Sequence, residues 1–175
     1  ANATLSRNRV KDVAVQVSDN ETAVIKGESP LAFSPDMILN NIFTFKYRNL
    51  DASIQTQYVS EQFMTNTGIR SYSTVGDEGE PVDVSMMLGD IFNTNFNIAY
   101  HFDLPSLGVR KLTVGCTVYN LFSAKFDNNG WAAPNFKADT NGKVTAYTKP
   151  SDGQYMAGFA PSAPINFMAR VSMNF

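Results

Sequence analysis

From Pro35 to Arg48 the side chains alternate with a period of two. Met37, Leu39, Phe43, Phe45 and Tyr47 share one parity with Asn41, while Asp36, Ile38, Asn40, Ile42, Thr44, Lys46 and Arg48 hold the other. Neighbours on an extended strand point to opposite faces, whereas a helix repeats about every 3.6 residues. The same alternation returns four times. Leu50, Ala52, Ile54, Thr56 and Tyr58 oppose Asp51, Ser53, Gln55 and Gln57. Phe92, Phe96, Ile98, Tyr100 and Phe102 oppose Ile91, Asn93, Asn95, Asn97 and Ala99. Leu112, Val114, Cys116 and Val118 oppose Thr113, Gly115, Thr117 and Tyr119. Ile165, Phe167, Ala169, Val171, Met173 and Phe175 oppose Asn166, Met168, Arg170, Ser172 and Asn174. One parity is mainly large and apolar, the other mainly polar.

This pattern predicts six antiparallel strands at about 3–17, 36–48, 50–62, 88–102, 110–121 and 164–175. The first is the weakest. Val13, Val15 and Val17 alternate with Ala14 and Gln16, but the phase slips before Val10 as it would at a bulge. Several runs exceed the usual five or six residues of a globular strand and reach the roughly 9–11 tilted residues that cross a bilayer. No helical segment emerges.

The connections add a second constraint. They are long (18–35), very short (48–50), long (63–87), short (103–109) and long (122–163). Outer-membrane barrels alternate in this way, with short periplasmic turns and long outer loops. A soluble β-sandwich has no reason to put every long loop at one end. The 175 residues would also allow one globular domain, and the mean hydropathy of -0.18 looks soluble. A barrel strand has the same average, because its two faces cancel. No run of about 18 apolar residues predicts a transmembrane helix. The net charge of -2, with no basic block, gives no footing for nucleic acid. The single cysteine, Cys116, offers neither an internal disulfide nor a CxxC pair.

With the long loops outside, the last strand runs inward and Phe175 sits at the periplasmic rim, near Tyr47 and Phe102. Tyr58 and Phe92 fall near the outer ends, so the aromatics form two girdles. Phe43, Phe45, Ile54, Phe96, Ile98, Val114, Phe167 and Val171 are predicted to face lipid. Gln57, Asn93, Asn95, Asn97 and Arg170 are predicted to face the lumen.

Sites of chemistry are sparse. His101 has Asp103 and Ser106 close in sequence, which suggests a triad. The strand pattern instead makes His101 a wall residue and leaves the other two in a turn. One histidine and one cysteine make no metal set. Asp77, Glu78, Glu80 and Asp83 read as a solvated acidic loop. Asp139-Thr140-Asn141-Gly142 opens like a calcium loop but lacks the later glutamate. Asn141-Gly142 is better explained as a type I′ turn joining 133–138 to 143–148. No catalytic residue, cofactor or metal is predicted.

Several stretches, taken in order, resemble one family. Ala3-Thr4-Leu5-Ser6-Arg7-Asn8 opens the chain, and Ala32-Phe33-Ser34-Pro35-Asp36 precedes the second strand. Gln57-Tyr58-Val59-Ser60-Glu61-Gln62-Phe63 and Asn66-Thr67 follow. Then come Val118-Tyr119-Asn120-Leu121-Phe122 and Asp127-Asn128-Asn129-Gly130-Trp131. Phe159-Ala160-Pro161-Ser162-Ala163-Pro164-Ile165-Asn166-Phe167 and the terminal Phe175 complete the set. Together they resemble the C-terminal barrel strands of a TonB-dependent outer-membrane receptor of the Bacteroidetes, siderophore-receptor-like kind.

The resemblance implies that residues 1–175 are the C-terminal part of one antiparallel transmembrane β-barrel domain. They would be the last six strands of a 22-stranded, plugged barrel. It implies TonB-driven import of a scarce bulky substrate such as an iron-siderophore across the bacterial outer membrane, and no enzyme activity. Its partners would be outer-membrane lipid, TonB through a missing N-terminal region, the barrel-assembly machinery and the remainder of the same receptor. Asn128, Asn129 and Trp131 become substrate-loop candidates, and Phe175 the barrel-assembly signal. A passive porin or adhesin barrel is the alternative, followed by a soluble β-sandwich binding module.

Overall fold

A computed structural model describes residues 1–76, 78–104, 108–148 and 156–175. The chain runs through β1 (Asn2–Leu5), then the hairpin of β2 (Arg9–Ser18) and β3 (Glu21–Pro30), then β4 (Met37–Tyr47) and β5 (Leu50–Val59). The next connection holds β6 (Gln62–Phe63), β7 (Ser71–Val75), β8 (Pro81–Ser85) and β9 (Met87–Leu88). After β10 (Ile91–Leu104) and β11 (Val109–Tyr119), the longest connection holds β12 (Asp127–Ala132), β13 (Asn135–Ala138), β14 (Val144–Tyr147) and β15 (Ala157–Pro161). β16 (Asn166–Asn174) follows. Among the described residues there is no helix, and every strand pairing is antiparallel.

Six strands form one meandering sheet in the order β1-β4-β5-β10-β11-β16. Chain direction reverses at every step, so all three long connections leave the same end. The sheet is open: β1 and β16 are its edges, and β1 covers only Met37–Asn40 of β4. No closed barrel forms within these residues.

The register sorts the side chains by face. Phe43, Ile54, Phe96, Val118 and Phe167 lie opposite one another across β4, β5, β10, β11 and β16. Tyr47, Leu50, Tyr100, Val114 and Val171 form another row on the same face. Directly opposed side chains on an antiparallel pair touch, so these rows form a continuous apolar surface. It is uncovered: Phe43, Phe167 and Val171 are 65%, 75% and 61% exposed. Ile54 and Phe96 are half-buried by their neighbours. The other face carries Thr44, Ser53, Asn97, Thr117 and Met168 in one row, and Lys46, Asp51, Ala99, Gly115 and Arg170 in the next.

The strand expected at 3–17 is two strands in different sheets. β1 ends where Ser6 N donates to Asp36 O (2.9 Å) and Ser6 Oγ to Pro35 O (2.8 Å). The chain then leaves the sheet through Arg7-Asn8, and β2 pairs with β3 alone. The phase slip marks this exit. A bulge does exist, but further on: the register shifts between Lys11 and Val13, and Asp12 has a φ of 55°. Asp12 Oδ1 accepts a hydrogen bond from Gly27 N across the hairpin.

The long connections build a crown of hairpins with its own core. Tyr72, Val84 and the fully buried Met86 pack together, with Ile69, Ala132, Ala146 and Ala157 against them. Most buried apolar side chains belong to this crown rather than to the sheet: Met64, Met87 and Leu88 add to it, while the sheet contributes Ala99 and Val109. Polar ties join the connections as well. Tyr72 Oη accepts from Met156 N at 2.9 Å, and the Thr74 and Thr148 hydroxyls meet at 2.7 Å. The β13–β14 hairpin also reaches β2, β3 and β7, so all three connections touch.

That hairpin forms at the predicted place but around a different turn. Neither Thr140 nor Asn141 has positive φ; Gly142 does, at 78°. Gly142 N donates to Asp139 O (3.0 Å), and Asp139 Oδ1 accepts from Asn141 N and Lys143 N. A turn closed by a left-handed glycine, with an aspartate gathering its amides, replaces the type I′ geometry.

Candidate functional site

Three places gather polar groups: the polar face of the sheet, the neck of the longest connection and the crown. On the polar face, cross-strand register brings together residues far apart in sequence. His101 Nδ1 lies 2.9 Å from Thr113 Oγ1, and Nε2 lies 3.1 Å from Asp51 Oδ2. Lys46 Nζ stands 4.0 Å from the same carboxylate oxygen. Thr113 is directly opposite His101 on β11, and Asp51 lies diagonally on β5. Asp103 stays exposed, and Ser106 lies outside the described residues. Both ring nitrogens of His101 are therefore engaged by cross-strand partners rather than by Asp103.

Amides dominate the rest of this face. Asn97 Oδ1 accepts from Thr117 Oγ1 (2.9 Å), and Asn95 Oδ1 accepts from Asn120 N (3.0 Å). Asn93 Oδ1 is buried without a partner. A buried carbonyl oxygen lacking a donor is costly, so this atom is a natural acceptor for a group laid on the face. Gln57 is half-buried and Arg170 is exposed on the same side.

Asn120 makes the neck. Its backbone has a φ of 49°, a left-handed conformation that asparagine tolerates better than most residues. Its Nδ2 donates to both Ala124 O (2.9 Å) and Ala163 O (3.0 Å), while Oδ1 accepts from Ala124 N (2.8 Å). One buried side chain thus ties the beginning of the longest connection to its end. Ser162 N to Phe126 O, at 2.8 Å, closes the next step outward.

Of the residues singled out from sequence, Asn128, Asn129 and Trp131 all lie exposed on β12, at the base of the crown. A register shift sits between Asp127 and Asn129, which leaves Asn128 outside the β12–β15 ladder. Asn129 Oδ1 accepts from Gly130 N. Trp131 faces its strand partner Gly158, where a side chain would collide with the indole. The absent side chain of Gly158 thus lets the ring lie across β15. Phe175 follows the last paired residue of β16 and is 75% exposed.

The acidic loop is internally engaged. Glu80 Oε2 accepts from Glu78 N, and Ser73 Oγ donates to Asp83; Asp77 lies outside the described residues. Nearby, Arg70 donates to Glu61 at 2.6 Å, which raises the guanidinium pKa above its ordinary value. Among the described residues no three metal-ligating side chains come together. Among the described residues no helix is long and apolar enough to cross a membrane, which says nothing of crossing by strands. No family model, curated protein or solved structure matches the chain.

Proposed function

We propose that this chain is the C-terminal wall of a TonB-dependent outer-membrane receptor that imports a scarce, bulky substrate such as an iron-siderophore. The observation that carries the reading is the six-stranded meander with one continuous, uncovered apolar face, a polar opposite face and all long connections at one end. In water, such a face is a liability far larger than a normal exposed patch. In a bilayer it is the expected lipid-facing surface of a barrel segment. The ordered resemblance in sequence supports the finer reading of receptor, family and substrate.

In this reading the apolar face meets lipid, and the polar face lines a plugged lumen. The crown stands outside the cell. The open edges, β1 with the part of β4 that it leaves uncovered on one side and β16 on the other, are paired by the remainder of a barrel of roughly 22 strands, because an unpaired edge in hydrocarbon leaves several backbone groups unsatisfied. Phe175 at the inner rim serves the barrel-assembly machinery, and TonB acts through the receptor's N-terminal region. Asn128, Asn129 and Trp131 are candidates for substrate contact.

The test uses the full-length receptor. It should fractionate with outer membranes, and iron-chelate uptake by cells carrying it should stop when the proton-motive force is collapsed. Recovery of a monodisperse protein without detergent would overturn the membrane reading. Uptake that persists without energy would favour a passive pore. Deleting Phe175 should lower the level in outer membranes; an unchanged level would remove its signal role alone.

A further inference from the structure

The apolar face of the sheet carries one polar interruption. Asn41 shares its parity with Phe43 and Phe45, and the register sets it in a row with Thr56 and Thr94. The two threonine hydroxyls share a hydrogen bond at 3.2 Å, and Thr94 is buried. The Asn41 amide is exposed and makes no hydrogen bond among the described residues. Around it an open groove of about 450 Å³ is lined by Ala3, Leu39, Asn41, Thr56, Tyr58 and Phe92 among others. We propose that this groove holds one chain of an amide-linked, zwitterionic lipid of the outer leaflet, whose amide pairs with that of Asn41; the proposal deepens the membrane reading and rests on it.

The depth of Asn41 calls for a partner. Thr94, in its row, precedes Phe102 on β10 by about 27 Å of strand, or about 21 Å along the bilayer normal at a tilt of about 40°. Phe92, in the next row outward with Leu39 and Tyr58, stands about 26 Å from Phe102 along the same normal. An apolar band is about 25 Å tall. The row of Leu39, Tyr58 and Phe92 therefore marks its outer edge, and Asn41 lies about 5 Å inside it. At that depth an amide has no water to bond with, and leaving it unpaired is costly.

The chemistry of the groove selects the lipid. A side-chain amide offers two donors and one acceptor. Another amide answers a donor and the acceptor in one reciprocal pair, whereas an ester carbonyl answers donors alone. Tyr58 adds a hydroxyl that makes no hydrogen bond among the described residues. Leu39 and Phe92, both exposed, give the chain an apolar wall. The charges just beyond β1 do not favour a phosphate-rich anionic headgroup. Arg9 pairs with Asp36 at 3.3 Å, and Arg7 stands 4.0 Å from Glu28, so each arginine there already has a carboxylate. A headgroup of no net charge fits that balance.

The probes are ceramide phosphoethanolamine and diacyl phosphatidylethanolamine, which share a headgroup and differ in whether a chain is linked by an amide. Both are offered in equal amounts to the full-length receptor in detergent micelles, and retained lipid is counted by native mass spectrometry. The wild type should retain the amide lipid with a preference of roughly threefold to tenfold. Asn41→Leu should lose that preference while retaining the ester lipid as before, and Asn41→Gln should keep part of it. Because Asn41 is exposed, neither change should disturb the sheet, which hydrogen exchange over β4 and β5 checks. Equal retention of the two lipids by the wild type, or an unchanged preference in Asn41→Leu, overturns the site and leaves the wall in its bilayer. Lipid A displacing the amide lipid equally from the wild type and Asn41→Leu overturns it as well. A receptor that stays monodisperse without detergent sinks the membrane reading and the site together.

Discussion

The sheet and the crown are made of the same antiparallel hairpins, yet they dispose of apolar side chains in opposite ways. The sheet turns rows of Phe, Tyr and Val outward with nothing over them. The crown folds Tyr72, Val84 and Met86 inward and covers them with small residues from another connection. Pairing alone therefore does not decide where a strand hides its apolar face. The crown builds a core from separate connections. On the proposed reading the wall would need none, because hydrocarbon would accept its side chains.

This contrast can be broken at specific residues. Met86→Ala should have the largest effect, about 2–5 kcal/mol on the crown, as a fully buried side chain is lost. Hydrogen exchange should rise across β7, β8 and β14 while β10 and β11 stay protected. Equal loss of protection in the wall would mean the two regions are one cooperative unit. Ile98→Arg should cost about 2–4 kcal/mol in lipid vesicles, read by denaturant unfolding. The same change should be nearly neutral if the face is ordinarily wet.

Asn120→Gly keeps the left-handed backbone but removes three side-chain hydrogen bonds, and should cost about 1–3 kcal/mol. Its signature should be faster exchange at Ala124 N, with the β10–β11 ladder unaffected. Lys46→Gln, which removes a 4.0 Å pair to Asp51 on an exposed side chain, should shift stability by only about 0–1 kcal/mol. A larger loss would show that His101 and Asp51 depend on that ammonium.

The same contrast explains what the sequence made legible. β4, β5, β10, β11 and β16 were readable because their two faces carry different side chains, and the register continues that difference from strand to strand. β7 was missed because Ser71–Val75 presents only Tyr72 to a core, too little for a period of two. β3, β12 and β15 are covered piecemeal by other connections and show no clean alternation. The reading of 3–17 as one strand failed because the valine alternation of β2 follows the exposed β1 after only a slip of phase, and the hydrogen bonds of Ser6 show that slip to be an exit from the sheet. His101 was weighed against Asp103 and Ser106, its sequence neighbours. Its real partners, Asp51 and Thr113, depend on a register no local pattern encodes.

The clasp at Asn120 has a consequence for how such a chain can change over generations. By fastening the connection at its root, it separates the length of everything beyond from the wall below. Closing a flexible segment costs only about 0.6 kcal/mol more for each doubling of its length. Substitutions or insertions past the clasp, above all at the Asp139–Gly142 tip, can therefore accumulate as swapped ornaments on an unaltered frame. An engineer could graft an epitope or an affinity tag there.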